Sequence, residues 1–305
     1  MRGFRTDPSY PAGLRLADDL PEPDPHPDEA VVEVSAFAVN PGELALIRQR
    51  PNGFQPGQDI AGTVVHSADD GSGPPVGARV VGYPDWKGWA DRVAVPVNSL
   101  AVLDDEVTFA QAATLPVAGL TALRALRLGG SLLGRRILIT GATGGVGQFA
   151  LQLAAASGAE VTAQVRSADR GAMAYQLGAS KVVTDLEDAG PFHLILDGVA
   201  GPQLPQAVRL LEPGGTLVLY GGGKAPSPIK LGDFYYNGAH NAKIVGFTST
   251  SPEAIKGQDL ALLVTLVAQE RLLPLIGWTG DWSRTSEALA ALANHTFRGK
   301  AVLVR

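Results

Sequence analysis

The sequence predicts an α/β protein in two parts, one β-rich and one a parallel sheet covered by helices. Three observations carry this. From Arg136 onward, short apolar runs alternate with stretches of helical periodicity, the mark of a parallel sheet. The first hundred residues are instead rich in Val, Pro and Gly, with short strand-like runs between turns and little helical periodicity. Between the two, Ile137 to Thr140 run straight into Gly141-Ala-Thr-Gly-Gly-Val-Gly147, and Phe149, Ala150, Leu151, Leu153 and Ala154 follow at helical spacing.

The elements follow in order. Residues 30–35, 62–65, 79–82 and 89–95 read as strands of a compact barrel or sandwich, and 21–27, with proline at every second position, as a solvated extended loop. Residues 109–128 are Ala- and Leu-rich and predict two helices broken around Pro116. In the α/β region, strands are expected at 160–165, 181–184, 193–199, 216–220 and 243–247. Helices are expected at 168–177, ending at Gly178, and at 203–211, closed by Pro213-Gly-Gly215. A helix over 253–269 follows, then a helix at 286–294 and a strand at 300–304. That last strand has no obvious partner in the α/β region, so it is expected to return to the N-terminal β domain.

Composition narrows the function. The chain of 305 residues is long enough for two domains, and 45% hydrophobic against 18% charged residues predicts a well-buried core rather than disorder. A formal net charge of −5 argues against a broad basic face for nucleic acid. The absence of cysteine excludes disulfides, thiolate catalysis and every cysteine-ligated metal site, and it fits a reducing cytosol, so a cytoplasmic location is expected. No apolar segment backs the polar, proline-broken start, so no secretory signal is expected. The longest apolar run, 260–268, falls short of the ~20 residues of a membrane span.

The strand–glycine turn–helix order is the context of a dinucleotide-binding motif. A tight turn needs one or two glycines, and this one has Gly141, Gly144, Gly145 and Gly147. Gly144 lets the backbone approach a pyrophosphate and Gly147 lets the helix lie close to its strand. The N–H groups of Gly144, Gly145 and Val146 are expected to face the phosphate charge. An Asp or Glu at the tip of the second strand would select NAD by its ribose hydroxyl. Here the tip reads Val165-Arg166-Ser167-Ala-Asp-Arg170, with no acid at its end. Arg166 and Arg170 suit a dianionic 2′-phosphate and Ser167 a hydrogen bond to it, which predicts NADPH as cofactor. A solvated helix start is the other account of the two arginines.

The wider pattern resembles the medium-chain dehydrogenase/reductase superfamily, in its zinc-independent, ζ-crystallin-like quinone oxidoreductase branch. The resemblance rests on Ala36-Phe-Ala-Val-Asn-Pro-Gly-Glu43, Pro56-Gly-Gln-Asp-Ile-Ala-Gly62, Ala112-Ala-Thr-Leu-Pro-Val-Ala-Gly-Leu-Thr-Ala122, the glycine turn, Ile195-Leu-Asp-Gly198, Gly214-Gly-Thr-Leu-Val218 and Arg298-Gly-Lys-Ala-Val302. It implies a GroES-like β-barrel catalytic domain formed by both chain ends, 1–119 and 252–305. A Rossmann domain, a doubly wound parallel sheet, would span 120–251. The implied activity is NADPH-dependent hydride transfer to a quinone or α,β-unsaturated carbonyl in the interdomain cleft. An NADPH-binding sensor or structural protein with little turnover, or a reductase or dehydrogenase of a biosynthetic intermediate, are the alternatives. A homodimer through an edge strand is also implied, with 243–247 the candidate edge. No nucleic-acid or membrane partner is expected.

The resemblance also assigns site residues. Asn40 and Thr121 would approach the nicotinamide ribose and phosphate, though Asn40 is also a common turn residue before Pro41. Thr143 belongs to the phosphate loop. Tyr220, Gly221 and Gly222 follow a strand at its C-terminal end, where such sheets bind ligands. Phe247 and Thr248 would cover the nicotinamide. Lys300 would return to the cleft, or be a solvated cation beside Gly299.

No metal is expected. Gln58-Asp59 stands where zinc-dependent relatives carry a His–Glu pair, and the five histidines are scattered and expected at the surface or at strand ends. The loop 46–56 holds Phe54 and no tyrosine, so no general acid stands out and no catalytic residue is assigned. A short-chain dehydrogenase would need Tyr-x-x-x-Lys on a helix. Tyr83 and Lys87 precede the glycine turn and enclose Pro84, and three glycines separate Tyr220 from Lys224. No G-x-S-x-G elbow is present.

Overall fold

In chain order the elements begin with β1 (Gly3–Thr6), β2 (Leu14–Ala17), β3 (Glu29–Val39), α1 (Pro41–Gln49), β4 (Asp59–His66), β5 (Arg79–Gly82), β6 (Arg92–Pro96), β7 (Leu100–Val102) and α2 (Phe109–Ala112). A π-helical turn, Leu115–Gly119, leads into α3 (Leu120–Arg127). Then come β8 (Arg136–Ile139), α4 (Gly147–Ala156), β9 (Glu160–Gln164), α5 (Gly171–Gln176), β10 (Lys181–Val183), β11 (Phe192–Asp197), α6 (Leu204–Arg209), β12 (Leu211–Leu219), α7 (Gly232–Tyr235) and β13 (Lys243–Gly246). The chain ends with α8 (Lys256–Ala268), β14 (Ile276–Asp281), α9 (Thr285–Ala293) and β15 (Lys300–Val304). This computed structural model describes residues 1–187, 189–222, 225–235, 238–249 and 256–305. The chain divides into two compact units, Met1–Leu120 with Thr250–Arg305, and Thr121–Ser249.

The first unit is organised by β3, whose 11 residues give it room for three neighbours. β4 pairs antiparallel along one side. On the other side β6 takes the first half of β3 and β15 the second. The last strand of the chain therefore does return to the N-terminal β unit, as its missing partner in the α/β region implied. β14 lies outside β15 and parallel to it, and β5 and β7 extend the sheet beyond β4. Phe37 and Trp89 stack at 5.3 Å between ring centres, and Phe4 and Trp282 pack around Phe37. Gly62 passes so close to β3 that a Cβ would strike the Glu33 carbonyl, which explains a glycine inside a strand.

The second unit is a parallel six-stranded sheet in the order β10-β9-β8-β11-β12-β13. This is the doubly wound order that reverses direction between its first and fourth strands, here β8 and β11, and opens a crevice at their C-terminal ends. Leu138, Ile195, Leu204, Ala207, Val208 and Leu217 form the core on one face of the sheet. The fold is thus a GroES-like barrel unit plus a Rossmann unit, the architecture that the sequence implied.

Several elements depart from expectation. The segment 41–49 is helix α1, although 46–56 reads as loop and helical periodicity is weak there. Its buried residues are Glu43 and Ile47, so half of its inner stripe is a carboxylate. Strands β1, β2, β7 and β14 carry no clear signal in the sequence. The helix expected to close at Pro213-Gly-Gly215 ends at Arg209, and these residues lie in β12. The expected start of helix 253–269 falls partly outside the described residues, as does Lys224. Among the described residues no helix is long and apolar enough to cross a membrane.

Candidate functional site

The glycine turn sits at the crevice of the second unit. Thr140, just past β8, donates its hydroxyl to Asp197 Oδ1 at 2.6 Å and accepts the N–H of Gly198. Gly141 then takes φ +60°, which only glycine adopts without strain. Gln164, at the end of β9, holds the turn from the other side. Its side-chain oxygen receives the Gly141 N–H and its backbone oxygen that of Ala142. Gly147 opens α4 against the turn, and a Cβ there would lie 2.5 Å from the Gly141 oxygen and 2.7 Å from Ala142 Cα. At Gly144 a Cβ would meet only the Gly141 oxygen, at 3.1 Å.

The three N–H groups expected to face phosphate divide unevenly. Gly144 donates to the Gly141 oxygen at 2.9 Å, so its N–H closes the turn instead. Gly145 and Val146 are half-buried, and among the described residues no acceptor meets their N–H groups. They stand at the start of a ten-residue helix, where unpaired donors and the helix dipole favour an anion. Thr143 is buried beside them. The residues therefore fit a dinucleotide pyrophosphate, with two N–H donors where three were expected.

At the tip of β9, Arg166 is exposed and Arg170 half-buried. Ser167 donates its hydroxyl to Asp169 Oδ1. That bond shapes the turn before α5, and a phosphate at Ser167 would have to compete with Asp169 for the hydroxyl proton. On the far side of the crevice, Asp197 Oδ1 also receives the N–H groups of Val199 and Ala200, while its Oδ2 is buried without a partner among the described residues. Tyr220 packs its ring on Gly198, and Gly221 passes so close that a Cβ would lie 2.7 Å from the Gly198 oxygen. Burial, and then the Asp197 carboxylate, push the Tyr220 hydroxyl upward in pKa, so it stays protonated. Gly222 is exposed beside Ala200. Phe247 is half-buried at the end of β13, with its N–H on the Leu219 oxygen, and Thr248 next to it is exposed. Thr121 is buried in α3.

The first unit holds a buried polar cluster. Lys300 Nζ, at the start of β15, donates to Asn40 Oδ1, to Asp59 Oδ2 at 2.8 Å and to the Val39 oxygen at 3.3 Å. Asn40 Nδ2 donates to the same Asp59 Oδ2 at 2.8 Å. Asp59 Oδ1 accepts the Val117 N–H from the π-helical turn at 2.6 Å. Glu43 accepts the backbone N–H groups of Asn40 and Gln58. Asp59 is fully buried, and Lys300 is 2% and Asn40 7% exposed. Burial, then the Asp59 charge, push Glu43 up to about 8, against the pull of Lys300 and the two N–H donors. Lys300 is thus neither solvated nor open to a phosphate, because an ammonium has three donors and all three are taken. The expected direct contact with a cofactor is replaced by a contact with Asn40.

Asp59, Glu43, Gln164 and Asp197 went unassigned in the sequence. Glu43, Asp59 and Asp197 lie inside the segments Ala36 to Glu43, Pro56 to Gly62 and Ile195 to Gly198 that carry the resemblance, and Asp59 also stands in the Gln58-Asp59 pair, whereas Gln164 lies in none of them. Among the histidines, His193 is half-buried near the start of β11, at a strand end as expected. Its two ring nitrogens lie 3.0 Å from Glu212 and 2.9 Å from the Gly129 oxygen, which ties β11 to β12 and to the turn after α3.

Comparison with known proteins places the chain. Residues 26–122 match the alcohol dehydrogenase GroES-like domain, and residues 145–265 match the family described as zinc-binding dehydrogenase. The chain belongs to the medium-chain dehydrogenase/reductase superfamily. Within this superfamily of oxidoreductases it is 28% identical to the mitochondrial NAD(P)H oxidoreductase RTN4IP1 of Bos taurus, over 95% of this chain and 85% of that one. It is also 28% identical to the quinone oxidoreductase of Mus musculus, over 88% and 86%. A mycobacterial protein solved in complex with NADPH shares the fold, with a TM-score of 0.87 at 22% identity and full coverage of both chains.

Zinc, which the second family description implies, does not fit the residues present. The chain has no cysteine. Asp59 has both oxygens engaged by Val117, Asn40 and Lys300, and the residue before it is Gln58. Among the described residues no group of three His, Cys, Asp or Glu could hold a metal ion.

Proposed function

We propose that this member of the superfamily is an NADPH-dependent oxidoreductase that works without catalytic zinc and reduces a quinone or an α,β-unsaturated carbonyl compound. One observation supports the cofactor above the rest: two open N–H groups, on Gly145 and Val146, at the start of α4. They would hold the pyrophosphate, with Gly144 keeping the backbone free of a Cβ. Arg166 and Arg170 would meet the 2′-phosphate, since no carboxylate stands at the strand tip to repel it. Tyr220 to Gly222, Phe247 and Thr248 would border the nicotinamide half. NADPH, when bound, supplies the hydride. The similarity to a bovine NAD(P)H oxidoreductase and a mouse quinone oxidoreductase supports the same class of cofactor and acceptor.

The acceptor class follows from what the residues lack. Oxidation of a simple alcohol in zinc relatives relies on a Lewis acid at the oxygen, and the donor set here is engaged elsewhere. A quinone or enone needs a hydride at carbon and a proton that solvent supplies. Proximity and orientation then carry much of the rate. An exposed edge strand, β13, supports a homodimer as well.

Titration calorimetry with NADPH and NADH, then NADPH oxidation with 1,2-naphthoquinone and with a simple enone, tests the reading. Tighter binding of NADPH and turnover of either acceptor, in protein free of zinc by elemental analysis, is the expected result. No heat with either nucleotide ends the proposal, and activity that depends on added zinc ends its metal-free part.

A further inference from the structure

Two N–H groups stand open for the pyrophosphate at the start of α4, because Gly144 spends its own on the turn. A further donor lies close by in the same unit. The Tyr220 N–H bonds the Asp197 oxygen at 3.1 Å, which fixes the residue just past β12. From there the side chain crosses back over the end of β11. A Cβ on Gly198 would lie 2.6 Å from the Tyr220 hydroxyl and 2.8 Å from two ring atoms, so the phenol tip rests on Gly198. The Gly198 N–H in turn bonds Thr140 Oγ1 at 3.1 Å, one residue before the glycine turn. The hydroxyl therefore sits at the C-terminal ends of β8 and β11, where the strand order reverses. All of these residues belong to the second unit, Thr121–Ser249.

Tyr220 is half-buried, and its hydroxyl meets no hydrogen-bond partner among the described residues. Taking a hydroxyl out of water without a partner costs stability. A phenylalanine would set the same ring on Gly198 without that cost, so fold stability gives no reason for the oxygen. Burial, and then the Asp197 carboxylate, disfavour the phenolate, so the group is a neutral donor. A neutral donor suits this place. Asp197 Oδ1 is already engaged by Thr140, Val199 and Ala200, and a second anion entering the crevice needs a proton offered to it.

We propose that the Tyr220 hydroxyl is the third donor to the pyrophosphate of NADPH, bonded to its nicotinamide-side phosphate. The sheet order sets the side. Arg166 stands at the tip of β9, the glycine turn follows β8, and β11 and β12 lie beyond, in the order β9-β8-β11-β12. A dinucleotide with its 2′-phosphate at Arg166 and its pyrophosphate at the start of α4 turns its nicotinamide half toward β11 and β12, where the hydroxyl is. The inference rests on NADPH as cofactor and on the place given to Arg166 above. It does not depend on the acceptor substrate or on any residue of the first unit.

Y220F in the full chain is the test, by calorimetry with a ladder of nucleotides and by melting with and without NADPH. The free variant is expected to melt at or above the wild-type temperature, since it loses only an unpaired hydroxyl. It is expected to bind NADPH about tenfold more weakly, as for loss of one hydrogen bond to a charged group. NADPH should then raise its melting temperature by less than it raises that of wild type. 2′-Phospho-ADP carries both phosphates but no nicotinamide ribose, and should lose the same factor. Adenosine 2′,5′-bisphosphate carries only the adenosine-side phosphate and should bind both proteins alike. A matching loss for the bisphosphate would put the hydroxyl on the adenosine side, and a loss confined to NADPH would put it beyond the phosphates. Either result overturns the assignment. NADPH binding by Y220F that equals wild type would show an idle hydroxyl, and tighter binding would show an obstructing one; both end the proposal. A clear fall in the melting temperature of free Y220F would make the hydroxyl a structural group and end it as well. A wild-type chain that binds no NADPH ends the cofactor reading before any variant is made, and this inference with it.

Discussion

Thr140 and Asp197 join the C-terminal ends of β8 and β11 by a hydroxyl-to-carboxylate hydrogen bond of 2.6 Å, at the point where the strand order of the second unit reverses. The bond does more than staple two strands. Thr140 leads into the glycine turn, while Asp197 Oδ1 also collects the Val199 and Ala200 N–H groups of the opposite loop. Both walls of the crevice therefore hang on one carboxylate oxygen.

Replacing that oxygen should cost fold stability as well as binding. D197A strands one hydroxyl and two backbone N–H donors in a buried site, at about 1–3 kcal/mol for an unsatisfied group. A total loss on the order of 3 kcal/mol is expected, since neighbouring losses overlap. T140V removes one donor and one acceptor and should cost about 1–2 kcal/mol. Urea unfolding of the three proteins measures both. A D197A protein as stable as wild type would show that the loop does not depend on Asp197.

Two glycines of the turn separate packing from binding. At Gly147 an added methyl meets backbone at 2.5–2.7 Å, and nothing there is a flexible side-chain end. At Gly144 the nearest atom is a single carbonyl oxygen at 3.1 Å. G147A is therefore expected to lose several kcal/mol of stability, as overpacking against backbone does. G144A should melt close to wild type and lose NADPH affinity by at least about tenfold, because its methyl would stand in the path of the pyrophosphate. Melting and calorimetry on the same samples compare them. Equal affinity for NADPH in G144A and wild type would remove Gly144 from the binding site.

The contrast between these glycines and β14 explains what the sequence could reveal. The turn at Gly141 announces itself because its glycines lie between a β-branched run and a helical period, all within a dozen residues. β14, Ile276-Gly-Trp-Thr-Gly-Asp281, also holds two glycines, and in isolation they read as a loop. They are there for packing: a Cβ on Gly277 would strike the Arg298 carbonyl, and Gly280 lies under the Trp278 ring. Such reasons exist only after the chain has folded. The same holds for the polar residues. Asp197 meets Thr140 across 57 residues of chain and Asp59 meets Lys300 across 241, so no local spacing could pair them. Helix α1 hides for a related cause, because Glu43 fills an inward position that periodicity expects to be apolar.

Arg166 offers a test of cofactor choice that spares the fold, since it is exposed at the tip of β9. R166A should weaken NADPH by about five- to tenfold, the weight of one exposed charge-assisted contact, and leave NADH nearly unchanged. The penalty should shrink as salt is raised, because the contact is screened. Fluorescence titrations of both nucleotides at two ionic strengths give the four numbers needed. A parallel loss for NADH would mean that Arg166 touches a part common to both nucleotides, and the 2′-phosphate assignment would fail.

Glu43 gives the fold a pH dependence of unusual sign. Most native carboxylates are held below their unfolded values and stabilise the protein as pH rises. Glu43 is held above its own, at about 8 against an ordinary 4.5. Between these values the folded state binds the more protons, so the contribution of Glu43 to stability is present below about pH 4.5 and falls as pH rises toward 8. The difference of several pK units sets an upper bound of a few kcal/mol on that loss, at about 1.4 kcal/mol per unit. E43Q cannot ionise and should lose this component, so its stability relative to wild type should improve steadily from pH 5 to pH 8. Urea midpoints of both proteins across that range measure the slope. Parallel curves would show that Glu43 is ionised throughout, held so by the Asn40 and Gln58 N–H groups and the nearby Lys300.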